Sequence, residues 1–119
     1  IAALRVAAHF LTRRNGAVVQ FVSCLQRAWH AGVSSFEGRS RCNDFSVGVE
    51  LEGTDEVAFT AAQYRALARL STVLRAHLPL RAVRGHEHIA PGRKTDPGPH
   101  FDWHRFGRQA HLPDGWLPR

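Results

Sequence analysis

A chain of 119 residues, 44% hydrophobic and 22% charged, is sized and composed for one folded domain rather than a disordered tail or a fibrous repeat. No apolar run approaches the roughly 20 residues that span a bilayer, and no charged-then-apolar leader with a small-residue cleavage site opens the chain, so nothing speaks for export. The net charge of +6 comes from scattered arginines with few aromatics among them, which suits general surface charge or an anionic small substrate better than a nucleic-acid groove.

In chain order, Leu4, Val6, Ala8 and Phe10 alternate towards Arg13, and Ala17 to Val22 form a second apolar run after Asn15-Gly16. Asn-Gly between two such runs predicts an antiparallel hairpin closed by a type I′ turn. His9 within the first strand reads as a satisfied core histidine rather than a metal ligand. Arg5 at its start reads as an edge charge, with carboxylate binding as the other option.

Residues 26–42 form a long segment with little periodicity, of the kind that often carries function. Trp29 in it could cap the core or offer a flat apolar wall to a sugar or peptide. Arg41 could be a surface charge or a fork for a carboxylate. Cys24 and Cys42 are too few for a disulfide framework and are expected as free thiols.

Phe45 to Leu51 alternates, with Phe45, Val47, Val49 and Leu51 on one face and Ser46, Gly48 and Glu50 on the other. Strands are depleted in Glu, so Glu50 is either solvent-facing or a general base set on a rigid strand. Thr60 and Gln63 form a capping box ahead of an amphipathic helix that runs to Leu78, where Pro79 stops it. Leu80 to Gly85 is expected as a short strand delivering His86. Residues 101–106 are expected as a short helix, with His100 and His104 exposed.

Between those last two elements lies Gly85-His86-Glu87-His88-Ile89-Ala90-Pro91-Gly92-Arg93-Lys94-Thr95-Asp96-Pro97-Gly98-Pro99. Three prolines stiffen it and deny it a long helix. The expectation is a rigid loop that folds Asp96 back towards His86, a pair suited to zinc, with Lys94 as a fixed positive charge at the rim. On spacing alone, solvated surface histidines are an equal alternative.

The string Gly-His-x-x-Ile-Ala-Pro-x-Arg-Lys-Thr-Asp-Pro-Gly resembles the signature of the zinc-dependent N-acetylmuramoyl-L-alanine amidases, above all their cytoplasmic, anhydromuramyl-peptide branch. Residues 26–32, 41–46 and 48–55 extend the resemblance in the same order, so that it runs from about Leu4 to Phe106. It implies an α+β fold, a mixed β-sheet flanked by helices as in peptidoglycan recognition proteins. It implies zinc, with His86 and Asp96 as two of three ligands, Glu50 and Lys94 as catalytic residues, and Arg5, Trp29 and Arg41 in the muropeptide pocket. The third ligand in the family is a histidine on an N-terminal strand with no counterpart in this sequence, and is expected upstream of Ile1. The implied activity is hydrolysis of the amide between (1,6-anhydro-)N-acetylmuramic acid and L-alanine during peptidoglycan recycling. A cytoplasmic monomer acting on muropeptides, without nucleic acid or membrane, is expected. The alternative is a non-catalytic peptidoglycan-binding module.

Overall fold

A computed structural model describes residues 8–54 and 56–118. A three-stranded sheet has the order β2-β1-β5, built from β1 (Phe10–Thr12), β2 (Val18–Gln20) and β5 (Val49–Leu51). β1 pairs antiparallel with β2, Phe10 opposite Gln20, and parallel with β5, Leu11 opposite Glu50. The sheet is therefore mixed, and with the helices around it the class is α+β, as the resemblance implies. The long helix α1 (Ala61–His77) packs on β1 and on α3 (Trp103–Gln109). Among the described residues no helix is long and apolar enough to cross a membrane.

The hairpin lies where Asn15-Gly16 predicts it, but its turn differs. Arg13 N–H bonds the Ala17 carbonyl (2.8 Å), Gly16 N–H bonds the Arg13 carbonyl (2.8 Å), and Asn15 Oδ1 accepts from Ala17 N–H (2.9 Å). Gly16 has φ +88°, and Asn15 is not among the positive-φ residues. This is a three-residue loop closed by a left-handed glycine, not the two-residue type I′ turn. The type I′ geometry occurs instead inside the segment read as irregular. There β3 (Ser35–Phe36) and β4 (Arg39–Ser40) are joined by Glu37 and Gly38, both at positive φ (50° and 80°).

Helix α1 begins as the capping box requires. Thr60 Oγ1 accepts from Gln63 N–H (3.1 Å), and Gln63 Oε1 accepts from Thr60 N–H (3.0 Å). Gln63, 1% exposed, also donates Nε2–H to the carbonyls of Glu52 (2.7 Å) and Thr12 (3.3 Å). One side chain thus ties the start of α1 to the ends of β1 and β5. Tyr64, Ala68, Phe101, Phe106 and Ala110 form the core between α1 and α3. A smaller cluster of Ala31, Cys42 and Ile89 lies beneath the loops that carry the site.

The strand expected over Leu80 to Gly85 is absent and the segment joins no sheet: Val83 N–H bonds the Trp116 carbonyl (2.8 Å), a contact with the C-terminal segment. His86 accordingly opens the short helix α2 (His86–Ile89) instead of ending a strand. Cys24 and Cys42 are free, and His100 and His104 are exposed, as expected.

Candidate metal and catalytic site

Asp96 does fold back onto His86. Asp96 Oδ2 lies 2.5 Å from His86 Nδ1, with the histidine 9% and the aspartate 42% exposed at their side chains. The return is fixed by backbone: Glu87 N–H bonds the Asp96 carbonyl (3.0 Å), and Glu87 Oε2 accepts from Gly98 N–H (3.0 Å). Gly85 permits the approach, because a Cβ there would stand 2.4 Å from Pro97 Cδ. The hydrogen bond with His86 holds the Asp96 carboxyl below the usual carboxylate range against its partial burial, and the Lys94 charge adds to this.

The other face of His86 meets a residue that the sequence reading did not single out. His86 Nε2 lies 3.0 Å from His30 Nδ1, and His30 Nε2 lies 2.7 Å from Ser46 Oγ. Burial pushes the His30 imidazole down to about 4, with the neighbouring His86, His9 and Lys94 lowering it further and Asp96 opposing them. The His30 ring is therefore neutral at pH 7. No local pattern in the sequence marks it: its partners Ser46 and His86 lie 16 and 56 positions away.

Gly48 lies against that ring. A Cβ at position 48 would meet His30 Cγ at 2.4 Å, closer than real contacts allow. Gly48→Ala is expected to cost about 1–3 kcal/mol, the usual range for overpacking. Urea unfolding checks this; an unchanged midpoint and slope would show that the ring yields freely. His9 secures the same strand end: its Nδ1 accepts from Gly48 N–H (3.0 Å) and its Nε2–H donates to the Gln26 carbonyl (2.6 Å). Fully buried and satisfied at both nitrogens, His9 is the core histidine that the sequence reading favoured.

Ser46 and Gly48 both meet His30. Of the expected strand from Phe45 to Leu51 only Val49–Leu51 pairs in the sheet, and Glu50 within it is half-buried. Lys94, also half-buried, follows α2 with its N–H on the Ala90 carbonyl (3.0 Å), and its charge reaches both His30 and Asp96. Arg93 binds the two loops together. Its guanidinium donates to the carbonyls of Ala31 and Val33, tying the Asp96 loop to the His30 segment.

Trp29 is 43% exposed, with the Arg27 guanidinium 5.2 Å from its ring centroid. Arg41 is exposed, at φ 57°, ahead of the short 3-10 turn Cys42–Asp44. Arg5 lies outside the described residues. No group of three His, Cys, Asp or Glu able to hold a metal ion occurs among the described residues.

The donors present nonetheless fit zinc as two of its ligands. Nitrogen and oxygen ligands on one tetrahedral zinc stand roughly 3.3 Å apart. His86 Nδ1 and Asp96 Oδ2 already face each other at 2.5 Å, so an opening of less than about 1 Å lets a cation replace the proton they share. Asp96, on a partly exposed loop, has the freedom to make it.

Residues 2–99 match the N-acetylmuramoyl-L-alanine amidase family. The 1,6-anhydro-N-acetylmuramyl-L-alanine amidase AmpD of Citrobacter freundii is 60% identical over 108 residues, which is 89% of this chain and 58% of that protein. The chain thus spans less than two-thirds of the length of this relative. A crystal structure of a selenomethionine AmpD derivative superposes with a TM-score of 0.85 at 57% identity, covering 91% of this chain and 62% of that one. The Escherichia coli amidase AmiD, solved with anhydro-N-acetylmuramic acid-L-Ala-D-γ-Glu-L-Lys, gives a TM-score of 0.79 at 36% identity over 88% of this chain and 48% of that one. With the family match over most of its length and these likenesses in both sequence and fold, the chain belongs to the N-acetylmuramoyl-L-alanine amidase family.

Proposed function

We propose that this chain acts in the zinc-dependent hydrolysis of the amide between (1,6-anhydro-)N-acetylmuramic acid and L-alanine of muropeptides, in cell-wall recycling. The observation that carries the reading is the convergence of His86 and Asp96, with the Lys94 charge within reach of both His30 and Asp96; Glu50 in β5 is assigned to the same side by the two-residue period that follows Gly48. The names of the similar proteins support the bond and the substrate: one cleaves 1,6-anhydro-N-acetylmuramyl-L-alanine, and another was solved with such a substrate bound.

In this reading His86 and Asp96 hold the ion, and the third ligand is sought outside the described residues. A bound zinc supplies a Lewis acid and brings the pKa of water down to roughly 7. Glu50 accepts a proton from the water that attacks the lactyl carbonyl carbon, then returns it to the departing alanine nitrogen. Lys94 places its ammonium where the carbonyl oxygen becomes negative; one such aimed donor is worth about 3–4 kcal/mol. Trp29 offers its exposed face to the sugar or peptide. Arg41, and Arg5 beyond the described residues, meet the carboxylates of the peptide stem as forked pairs. The cytoplasmic, monomeric setting implied by the family resemblance belongs to the same proposal.

The test is cleavage of an anhydromuramyl-tripeptide by the full chain loaded with zinc. Release of a peptide with a new L-alanine amino terminus is expected. Saturable binding with no release identifies a peptidoglycan-binding module instead, and neither binding nor release contradicts both.

A further inference from the structure

The hydrogen bonds around His30 run in one direction, and that direction reaches the ligand pair. The Cys42 carbonyl can only accept, so the single hydroxyl proton of Ser46 goes to it at 2.5 Å. Ser46 Oγ must then accept from His30, which places the His30 proton on Nε2 (2.7 Å). Only one proton fits between His30 Nδ1 and His86 Nε2 at 3.0 Å, and with the His30 proton already on its own Nε2 that proton belongs to His86, which donates it. His86 is left with Nδ1 turned to Asp96 Oδ2 at 2.5 Å.

The segment that carries His30 is pinned on both sides of the ring. Asn43 Oδ1 accepts from Ala31 N–H (2.9 Å), Arg93 binds the Ala31 and Val33 carbonyls, and Gly48 packs beneath the ring. His30 and His86 are both buried, at 6% and 9% exposure. Nothing in the chemistry assigned above uses His30.

We propose that His30 is a positioning residue: the chain Cys42 carbonyl, Ser46 hydroxyl, His30 imidazole keeps a proton on His86 Nε2, so that once a metal displaces the proton between Nδ1 and Asp96, His86 is left as the Nε2–H tautomer with its Nδ1 lone pair aimed at the point Asp96 also faces. This rests on the zinc reading. An imidazole carries its proton on either nitrogen, and the Nδ1–H tautomer has no lone pair at Nδ1 to give a metal. A partner that fixes the tautomer therefore raises metal affinity, and losing such a partner typically costs 10–100-fold. The construction assigns a purpose to residues spread over 56 positions of chain, from His30 to His86.

Zinc dissociation constants, measured by chelator competition on the full chain, test the inference. His30→Leu removes the acceptor and is expected to weaken zinc binding by about 10–100-fold. His30→Asn puts an amide oxygen near the place of Nδ1 and recovers most of that loss. Ser46→Ala, which frees the His30 ring to turn over, weakens binding less than His30→Leu. A second readout is specific to the hydrogen bond. In zinc-loaded wild type the His86 Nε2 proton gives a slowly exchanging, downfield resonance coupled to His30 Nδ1, and in His30→Leu that resonance is lost. If His30→Leu does not fold, by circular dichroism, the Ser46→Ala and His30→Asn pair carries the same comparison. Zinc binding unchanged in His30→Leu, or in Ser46→Ala where the former does not fold, overturns the inference. A wild-type chain that takes up no zinc overturns the metal reading beneath it.

Discussion

Asp96→Ala lowers zinc affinity by more than about 100-fold, because it removes a ligand outright where loss of an orienting partner already costs 10–100-fold. The reason lies in the loop. The backbone bond from Glu87 to the Asp96 carbonyl and the Gly98 bond to the Glu87 side chain do not involve the Asp96 carboxylate. The alanine variant therefore keeps the fold of the loop and loses only the oxygen that faces His86. The side chain is 42% exposed, so its hydrogen bond adds about 1 kcal/mol or less to the metal-free fold once solvent screening is counted. Thermal unfolding of the metal-free variant should thus sit close to wild type while metal content per chain collapses. Full zinc stoichiometry in the variant would remove Asp96 from the ligand set. A large loss of metal-free stability would make its role structural.

Glu50→Gln is expected to do the opposite. Glu50 sits in β5, paired with Leu11 and held between the Gln63 bond to Glu52 and the His9 bond to Gly48. Glutamine keeps the size and polarity of the side chain and leaves those contacts alone. What disappears is the carboxylate that accepts a proton. A general base contributes typically 10²–10⁴-fold, so kcat on an anhydromuramyl-peptide should fall by about that factor. Zinc content and KM should stay near wild type, since Glu50 neither holds the ion nor meets the peptide carboxylates in this account. A kcat close to wild type would end the catalytic assignment. A loss of zinc would move Glu50 into the ligand set.

The two variants separate what the sequence made legible from what it did not. The His86 to Pro99 loop was readable because prolines and glycines restrict the backbone locally, and a restricted backbone can be followed by eye. The capping box at Thr60 and Gln63 was readable for the same local reason, although only the structure reveals that Gln63 also fastens β1 and β5. Turn type was less so. Asn15-Gly16 favours type I′ statistically, yet the loop uses a left-handed Gly16, while the type I′ geometry appears at Glu37-Gly38, where a glutamate at positive φ gives no sequence signal. The short strand expected at Leu80 to Gly85 does not form because the backbone of Val83 pairs with the Trp116 carbonyl of the C-terminal segment, a partner far away in the chain. His30 was invisible as a functional residue for a related reason. Its meaning comes from Ser46 on one side and His86 on the other, contacts separated by 16 and 56 positions that no local pattern encodes.

The polar face of the Phe45 to Leu51 segment illustrates how burial changes a reading. Ser46, Gly48 and Glu50 alternate with apolar residues, which on sequence alone suits a solvent-facing side. In the fold that side receives the His30 ring: Ser46 bonds it and Gly48 makes space for it. Glu50, two residues after Gly48, is half-buried rather than in open water.

The position of a bound zinc ion tests the roles of His86 and Asp96 most directly. An anomalous difference map at the zinc edge, from crystals of the zinc-loaded chain, should place one ion bonded to both His86 Nδ1 and Asp96 Oδ2. A map with no ion between them, and the 2.5 Å contact between those atoms still closed, would contradict both roles.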